Sequence, residues 1–300
     1  MDIEIYKNFL TIVNTSNITQ AAEELHITQS ALSKQIRMLE DFYGCELILS
    51  ARGRQKIILT EAGRILYEKA SHICNLAASA KDELQDVKAG LTGTLRLSIA
   101  YSRSTLLMER TLKDFALKYP KITFDIKEAI AAEQTQQLLN GISELGITLT
   151  NLSSPDYFEV LFSRPETLSA VFNANSPFLP AKSSLNLEDL KELPLSISEG
   201  VKALFQAQCQ EAGFAPQIVS SSTTKSTSLL WAVHNIYVAI VPSEPGETYG
   251  SRLVVKPITD KNINFRKNIV RVKGRPLSNA AQLFLDFYKE QRFKESKVNN

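Results

Sequence analysis

The chain has 300 residues, 44% hydrophobic and 22% charged, with 34 basic side chains against 32 acidic for a net charge of +2. That length accommodates up to three domains with their own cores, and that composition excludes global disorder. The near-neutral balance excludes nucleic-acid binding through bulk charge, so any such function has to arise from local pattern. The N-terminal run carries acids where a secretion signal carries bases. The longest apolar stretch, Leu229 to Val241, is too short to span a bilayer and holds His234 and Asn235. No membrane partner is therefore expected, and Cys45, Cys74 and Cys209, which lie far apart with no C-x-x-C, fit a reducing cytoplasm.

The first ninety residues contain no proline and read as helix. Ile5, Phe9, Ile12 and Val13 share one face of a first helix, and Ile18, Ala21, Ala22 and Leu25 mark a short second one. A tight break at His26-Ile-Thr28 follows, with Thr28 as the N-cap of a third helix from Gln29 to about Tyr43. At about 100° per residue, Leu32, Ile36, Leu39 and Tyr43 fall on one buried arc, whereas Gln29, Ser30, Ser33, Lys34 and Arg37 fall on another. Short hydroxyl and amide side chains let a helix sit deep in a major groove, and cations at its margin reach phosphates. Ala21 and Ala22 allow the helix in front to approach closely, as a helix-turn-helix needs. Next, Leu47 to Leu49 and Ile57 to Leu59 flank a basic tip with Arg52 and Arg54, the pattern of a β-hairpin wing.

From Thr60 to Val87 the helical pattern is unbroken. Ala70, Ile73, Ala77, Ala80, Leu84 and Val87 repeat at alternating steps of three and four, a coiled-coil seam that calls for a second helix. Beyond the glycines at 90 and 93 the pattern changes. Strands at Thr94 to Ala100, Ile122 to Ile126 and Leu145 to Leu149 alternate with helices, the mark of a parallel α/β sheet. Further strands are predicted near Thr167 to Phe172, Leu195 to Ser198, Ile218 to Ser221, Val238 to Val241 and Asn268 to Val272, with a closing helix from Ser278 to Gln291.

The ungapped run from Ala21 to Glu40, followed by Gly44 and by Leu59-Thr-Glu-Ala-Gly63, resembles the LysR-type transcriptional regulators. The resemblance implies an α+β and α/β architecture. A winged helix-turn-helix occupies residues 1–60 and a linker and dimerisation helix 61–92. A two-lobed effector-binding domain like the periplasmic binding proteins occupies 93–300, with one lobe from about 93–157 and 270–300 and the other from 158–269. It implies DNA contacts from Gln29, Ser30, Ser33, Lys34 and Arg37 on the recognition helix and from Arg52 and Arg54 on the wing. The implied partners are a dyad-symmetric duplex, a small-molecule effector, a second and further copies of this chain in a dimer and tetramer, and RNA polymerase. Some positions depart from the family pattern. Leu47-Ile-Leu-Ser50 lacks the usual aromatic and arginine, Asn235 and Tyr237 stand where glycines are common, and Ala131 stands where a ligand-binding hydroxyl is frequent.

Ligands of two-lobed α/β domains bind beyond the carboxyl ends of the strands, near helix N-termini. The candidate effector groups are therefore Ser102, Arg103, Ser104 and Thr148 from the first lobe, with Ser198, Glu199, Gly200 and Thr223, Thr224 and Lys225 from the second. Hydroxyls beside two cations suggest a small polar or anionic ligand. No nucleophile elbow, phosphate loop, dinucleotide fingerprint or zinc helix motif occurs, and His26, His72 and His234 show no metal spacing. Neither an enzyme nor a resident cofactor or metal is expected. The rival reading is a small-molecule-binding protein or a cleft enzyme that uses the α/β domain without controlling DNA.

Overall fold

The computed structural model describes residues 1–49, 57–89, 92–149, 152, 154–244, 246–260 and 265–298. The chain divides into two compact units, one built mainly from residues 1–93 and the other from 94–138 and 143–300.

The first unit opens with α1 (Ile3–Thr15), α2 (Ile18–Glu24) and α3 (Gln29–Tyr43), then a short antiparallel pair, β1 (Ile48–Leu49) and β2 (Ile58–Leu59), and the long α4 (Glu61–Ala89). Each early helix begins on a side-chain cap. Asp2 accepts from Glu4 N, Asn17 from Thr19 N and Gln20 N, and Thr28 from Ala31 N. Each cap satisfies donors that the first helical turn leaves open. Ser16 and His26 turn the chain with φ of 54° each, and Gly44 ends α3 with φ of 66°. Ile12, Ala21, Ala22, Leu32 and Ile36 form one small core, and Tyr6, Phe9, Leu39, Leu47, Leu66 and Ala70 form another. Two expectations are corrected here. Ala70 is wholly buried in the second core rather than part of an open seam, and Tyr43 is 41% exposed with only its hydroxyl turned inward, 2.7 Å from that of Tyr6.

In the second unit the sheet order is β4-β3-β5-β11-β6-β9-β7-β8, with β10 also paired to β6. The strands are β3 (Gly93–Ala100), β4 (Ile122–Ala129), β5 (Leu145–Thr148), β6 (Phe158–Asn173), β7 (Leu195–Ser198), β8 (Ile218–Ser222), β9 (Val238–Ser243), β10 (Leu253–Pro257) and β11 (Phe265–Val272). The helices are α5 (Ser104–Leu107), α6 (Lys113–Lys118), α7 (Ala131–Leu139), α8 (Glu199–Glu211), α9 (Lys225–Val233) and α10 (Asn279–Val298). One lobe packs Leu97, Ile99, Phe115, Ile147 and Phe284 around β3 and β5, which run parallel. The other packs Leu168, Phe172, Ile197, Phe205 and Ile240 around the parallel β7 and β9. Burying each such side chain contributes about 1.5–3 kcal/mol.

The long β6 joins the lobes. Its first half pairs antiparallel with β11, in the sheet of the first lobe, and its second half pairs with β9 and β10 in the other. Sequence reading detects only its second half, Thr167 to Phe172; the first half, residues 158–165, pairs with residues 266–272 of β11, a partner that lies a hundred residues further along the chain. The domain division at 158 thus falls at the start of a strand that both lobes share. At the other predicted irregularity, Asn235 takes the left-handed conformation with φ of 57°, and Tyr237 packs its ring at a tilt of 43° against Trp231, with centroids 5.0 Å apart.

Candidate nucleic-acid interface and effector cleft

The face of α3 predicted to read DNA points outward. Gln29, Ser30, Lys34 and Arg37 are exposed and Ser33 is half-buried, while Leu32, Ile36 and Leu39 are buried against α1 and α2. The alanines explain how. Ala21 and Ala22 are at most 4% exposed, so α2 lies close under α3 with no side chain long enough to hold the helices apart. Asn8 Nδ2 donates to Gln35 Oε1 at 2.8 Å, which fixes the side of α3 that turns inward. Arg52, Arg54 and Ser50 lie outside the described residues.

Along α4 the predicted seam divides. Ala70 is buried within its own unit, whereas Ile73, Ala77 and Ala80 are exposed, with Ile65 and Leu76 more than half exposed beside them. The side chains of Leu84 and Val87 lie outside the described residues. Cys74 is half-buried against the core that holds Tyr6, Phe9 and Ala70, and burial pushes its thiol up from its ordinary pKa.

Between the lobes of the second unit lies a cavity of about 280 Å³. Ser102, Ser198, Glu199, Gly200 and Thr223 line it, as expected for groups at strand ends. The Ser198 hydroxyl is fully buried with no hydrogen-bond partner among the described residues. Gly200 leaves the start of α8 open, since a Cβ there would meet nothing nearer than Leu149 at 3.8 Å. Sequence reasoning missed Gln134. Its amide nitrogen donates to Ser98 O at 3.1 Å and Ile147 O at 3.2 Å, bridging β3 and β5 under the cavity floor. The one available signal was a glutamine on the inward face of α7. Ala129, Ala131 and Ala132 complete a wall of small groups, so Ala131 supplies room where the family pattern has a hydroxyl.

Five of the predicted effector groups do not line this cavity. Arg103 is 1% exposed and forms an ion pair with Glu166 of β6, because its position one residue after Ser102 points it into the sheet instead of the cleft. Ser104 turns back to donate to Tyr101 O at 3.4 Å, and Thr224 is spent capping α9 through Thr227 N at 3.3 Å. Thr148 is 2% exposed within β5, where the sheet covers it. Lys225, also buried, pairs with Glu247 and reaches Tyr249 Oη at 3.2 Å, in a separate cavity.

These pairs belong to a larger buried ionic network. Glu244 is paired with Lys267, Arg110 Nη1 lies 3.3 Å from its Oε2, and Arg292 Nη1 lies 3.8 Å away. Burial alone would raise the Glu244 carboxyl, but Lys267 and Arg292 outweigh it and hold the group at about 2. Glu166 shows the opposite balance: burial pushes its carboxyl up in spite of Arg103 and Lys267.

Two family models match the chain. Residues 3–64 match the bacterial regulatory helix-turn-helix protein, lysR family, and residues 88–292 match the LysR substrate binding domain. Among relatives, the HTH-type transcriptional regulator YtlI of Bacillus subtilis (strain 168) is 30% identical over 193 residues, 64% of this chain and 61% of that protein. BbuR of Bordetella bronchiseptica is 29% identical over 67% of this chain, which spans 60% of BbuR. BsdA of Bacillus subtilis (strain 168) is 26% identical, covering 81% of this chain and 84% of its own. The fold is also that of CbnR, a LysR family transcriptional regulator, with a TM-score of 0.69 at 19% identity over 97% of this chain and 99% of CbnR. With the outward recognition face, the substrate-domain match over most of the second unit and the shared fold all in agreement, the chain belongs to the LysR family.

Proposed function

We propose that this protein is a sequence-specific DNA-binding transcriptional regulator whose activity responds to a small polar or anionic effector held between the lobes of its second unit. The observation that carries the reading is the exposed Gln29, Ser30, Lys34 and Arg37 face of α3 on a helix fixed by its Thr28 cap and by Ala21 and Ala22. Recognition uses this face against base edges, with Arg52 and Arg54 as the wing's phosphate contacts. A solved structure of CbnR with its target DNA has the same fold, with a TM-score of 0.69 at 20% identity, and this supports the duplex as partner.

Two copies pair through the exposed apolar face of α4, so that two heads meet two half-sites of a dyad, and further pairing forms a tetramer. In the cleft, the unpartnered Ser198, with Ser102 and the first amides of α7 and α8, holds the effector's polar atoms. The effector binds one lobe closure more tightly than the other. That difference shifts the spacing of the heads, the bend of the DNA and access for RNA polymerase. The protein acts by binding rather than turnover, in the cytoplasm; among the described residues no helix is long and apolar enough to cross a membrane. Genomic footprinting tests the reading. It is expected to return one dyad-symmetric motif, and binding spread without a motif would overturn it.

A further inference from the structure

Among the described residues the lining of the effector cleft holds one charged side chain, and it is an acid, Glu199. The two cations that the sequence places at nearby strand ends, Arg103 and Lys225, are buried outside the lining and paired with Glu166 and Glu247. Each helix that starts at the cleft also carries an acid in its first turn, Glu133 on α7 and Glu199 on α8. Glu133 Oε2 accepts from Ile130 N at 3.3 Å. The positive ends of both helices are thus matched by carboxylates of their own. An entering anion finds no ion-pair partner and meets Glu199 as a like charge. Glu199 is exposed, so water weakens that repulsion, and the sharper discrimination comes from a group beneath it.

That group is Gln134, which lines the same cavity and is 1% exposed. Its Nε2 donates to both Ser98 O and Ile147 O. With both N–H bonds engaged, the planar amide cannot exchange its ends without stranding two strand carbonyls, so Oε1 is held as a fixed acceptor. No described residue donates to it. A carboxylate offers acceptors only and would set lone pairs against lone pairs, whereas an N–H or O–H completes Oε1. The Ser102 hydroxyl, also in the lining, can donate or accept, and Ala129, Ile130 and Leu149 offer only hydrocarbon.

We propose that the effector is a small uncharged molecule with an N–H donor beside a carbonyl on a short hydrocarbon body, a primary carboxamide in its simplest form, and that Gln134 selects it over the matching carboxylate. The inference rests on the cleft being the effector site and narrows the polar or anionic class to its uncharged members. The ligand's N–H donates to Gln134 Oε1, its carbonyl accepts from the Ser102 hydroxyl, and its chain lies on Ala129, Ile130 and Leu149. Sites built around a buried polar group discriminate strongly, because the wrong ligand leaves that group unpaired.

The test is a ligand-observed NMR titration of the full chain at pH 7 and constant ionic strength with two pairs of equal shape, butanamide with butanoate and pentanamide with pentanoate. Saturable binding of the amides is expected, with the carboxylates weaker by about tenfold or more. Glu199→Gln is expected to keep most of that preference, since an exposed charge contributes little. Gln134→Met is expected to erase it, and because that change also frees two strand carbonyls, the ratio on the unaltered chain is the deciding measure. Carboxylates that bind as tightly as the amides, amides that show no saturable binding, or a preference that vanishes in Glu199→Gln each overturn the proposal. Gly200→Leu separates this outcome from the wider reading. A Cβ at Gly200 meets nothing nearer than 3.8 Å, so the variant folds and its side chain fills the cavity. Carboxylates that bind the parent but not Gly200→Leu would refute the uncharged class and leave the cleft as the effector site. Probe binding that Gly200→Leu does not alter would remove the cleft itself.

Discussion

The carboxylate of Glu40, near the end of the recognition helix, accepts a hydrogen bond from Leu47 N at 2.9 Å and a longer one from Ile48 N at 3.4 Å. One side chain therefore couples the angle of α3 to the first strand of the wing. Glu40→Ala strands two amides and is expected to destabilise the first unit by about 1–3 kcal/mol. Urea unfolding followed separately for each unit measures it. An unchanged midpoint for the first unit would show that the link contributes nothing.

Gly63, in the first turn of α4, carries no Cβ for a steric reason. An added Cβ would lie 2.1 Å from Leu47 O and 3.1 Å from Leu59 Cδ2. Backbone oxygen cannot yield as a flexible side-chain end does, so Gly63→Ala forces the start of α4 away from the wing strands. The expected cost is about 1–3 kcal/mol, read as a lower melting temperature together with weaker operator binding. A variant as stable as the parent contradicts the packing described.

For the DNA interface, Ser33→Ala is expected to reduce discrimination between operator and unrelated DNA by about 1–3 kcal/mol. Lys34→Ala, by contrast, lowers affinity for every sequence and flattens its dependence on salt. Fluorescence anisotropy at several salt concentrations separates the two. If Ser33→Ala leaves the specific-to-nonspecific ratio untouched, that residue does not read a base.

The buried network predicts a pH dependence. Lys267 and Arg292 hold Glu244 at about 2, below the ordinary 4.5 of a glutamate carboxyl. Its contribution to stability is therefore fully present above about pH 4.5 and is lost as the pH falls toward 2. Glu244→Gln leaves Lys267 and Arg292 facing a neutral amide, and breaking such a buried pairing costs about 3–5 kcal/mol near neutrality. Thermal unfolding from pH 7 to pH 2 is expected to show the parent and the variant converging in acid. A gap of constant size across that range would mean that Glu244 is not the titrating group.

How much of this was legible in advance follows the range of the forces involved. The Thr28 cap, the two faces of α3 and the strands β3, β5, β7 and β9 are written in residues a few positions apart, where helical and strand periods and capping act locally. Ser102, Ser198, Glu199 and Gly200 were also within reach, because strand ends in α/β domains recur as ligand sites whatever the exact packing.

Other features were decided only when distant segments met. The sequence offers Arg103 as a cleft cation because it follows the end of the first strand, but in the folded chain it is buried and paired with Glu166 of β6. Ala70 fits a coiled-coil repeat as well as any residue of α4, and the cores under α1 and α3 claim it instead. The sequence by itself determined the family, the order of the elements and the outward face of the reading helix, since these depend on local pattern and on the chemistry of single side chains. Tertiary structure alone decided which cations line a cavity and which neutralise a carboxylate. A charge buried in a low-dielectric interior must be matched by whatever partner the topology places beside it, and that partner lies far away along the chain.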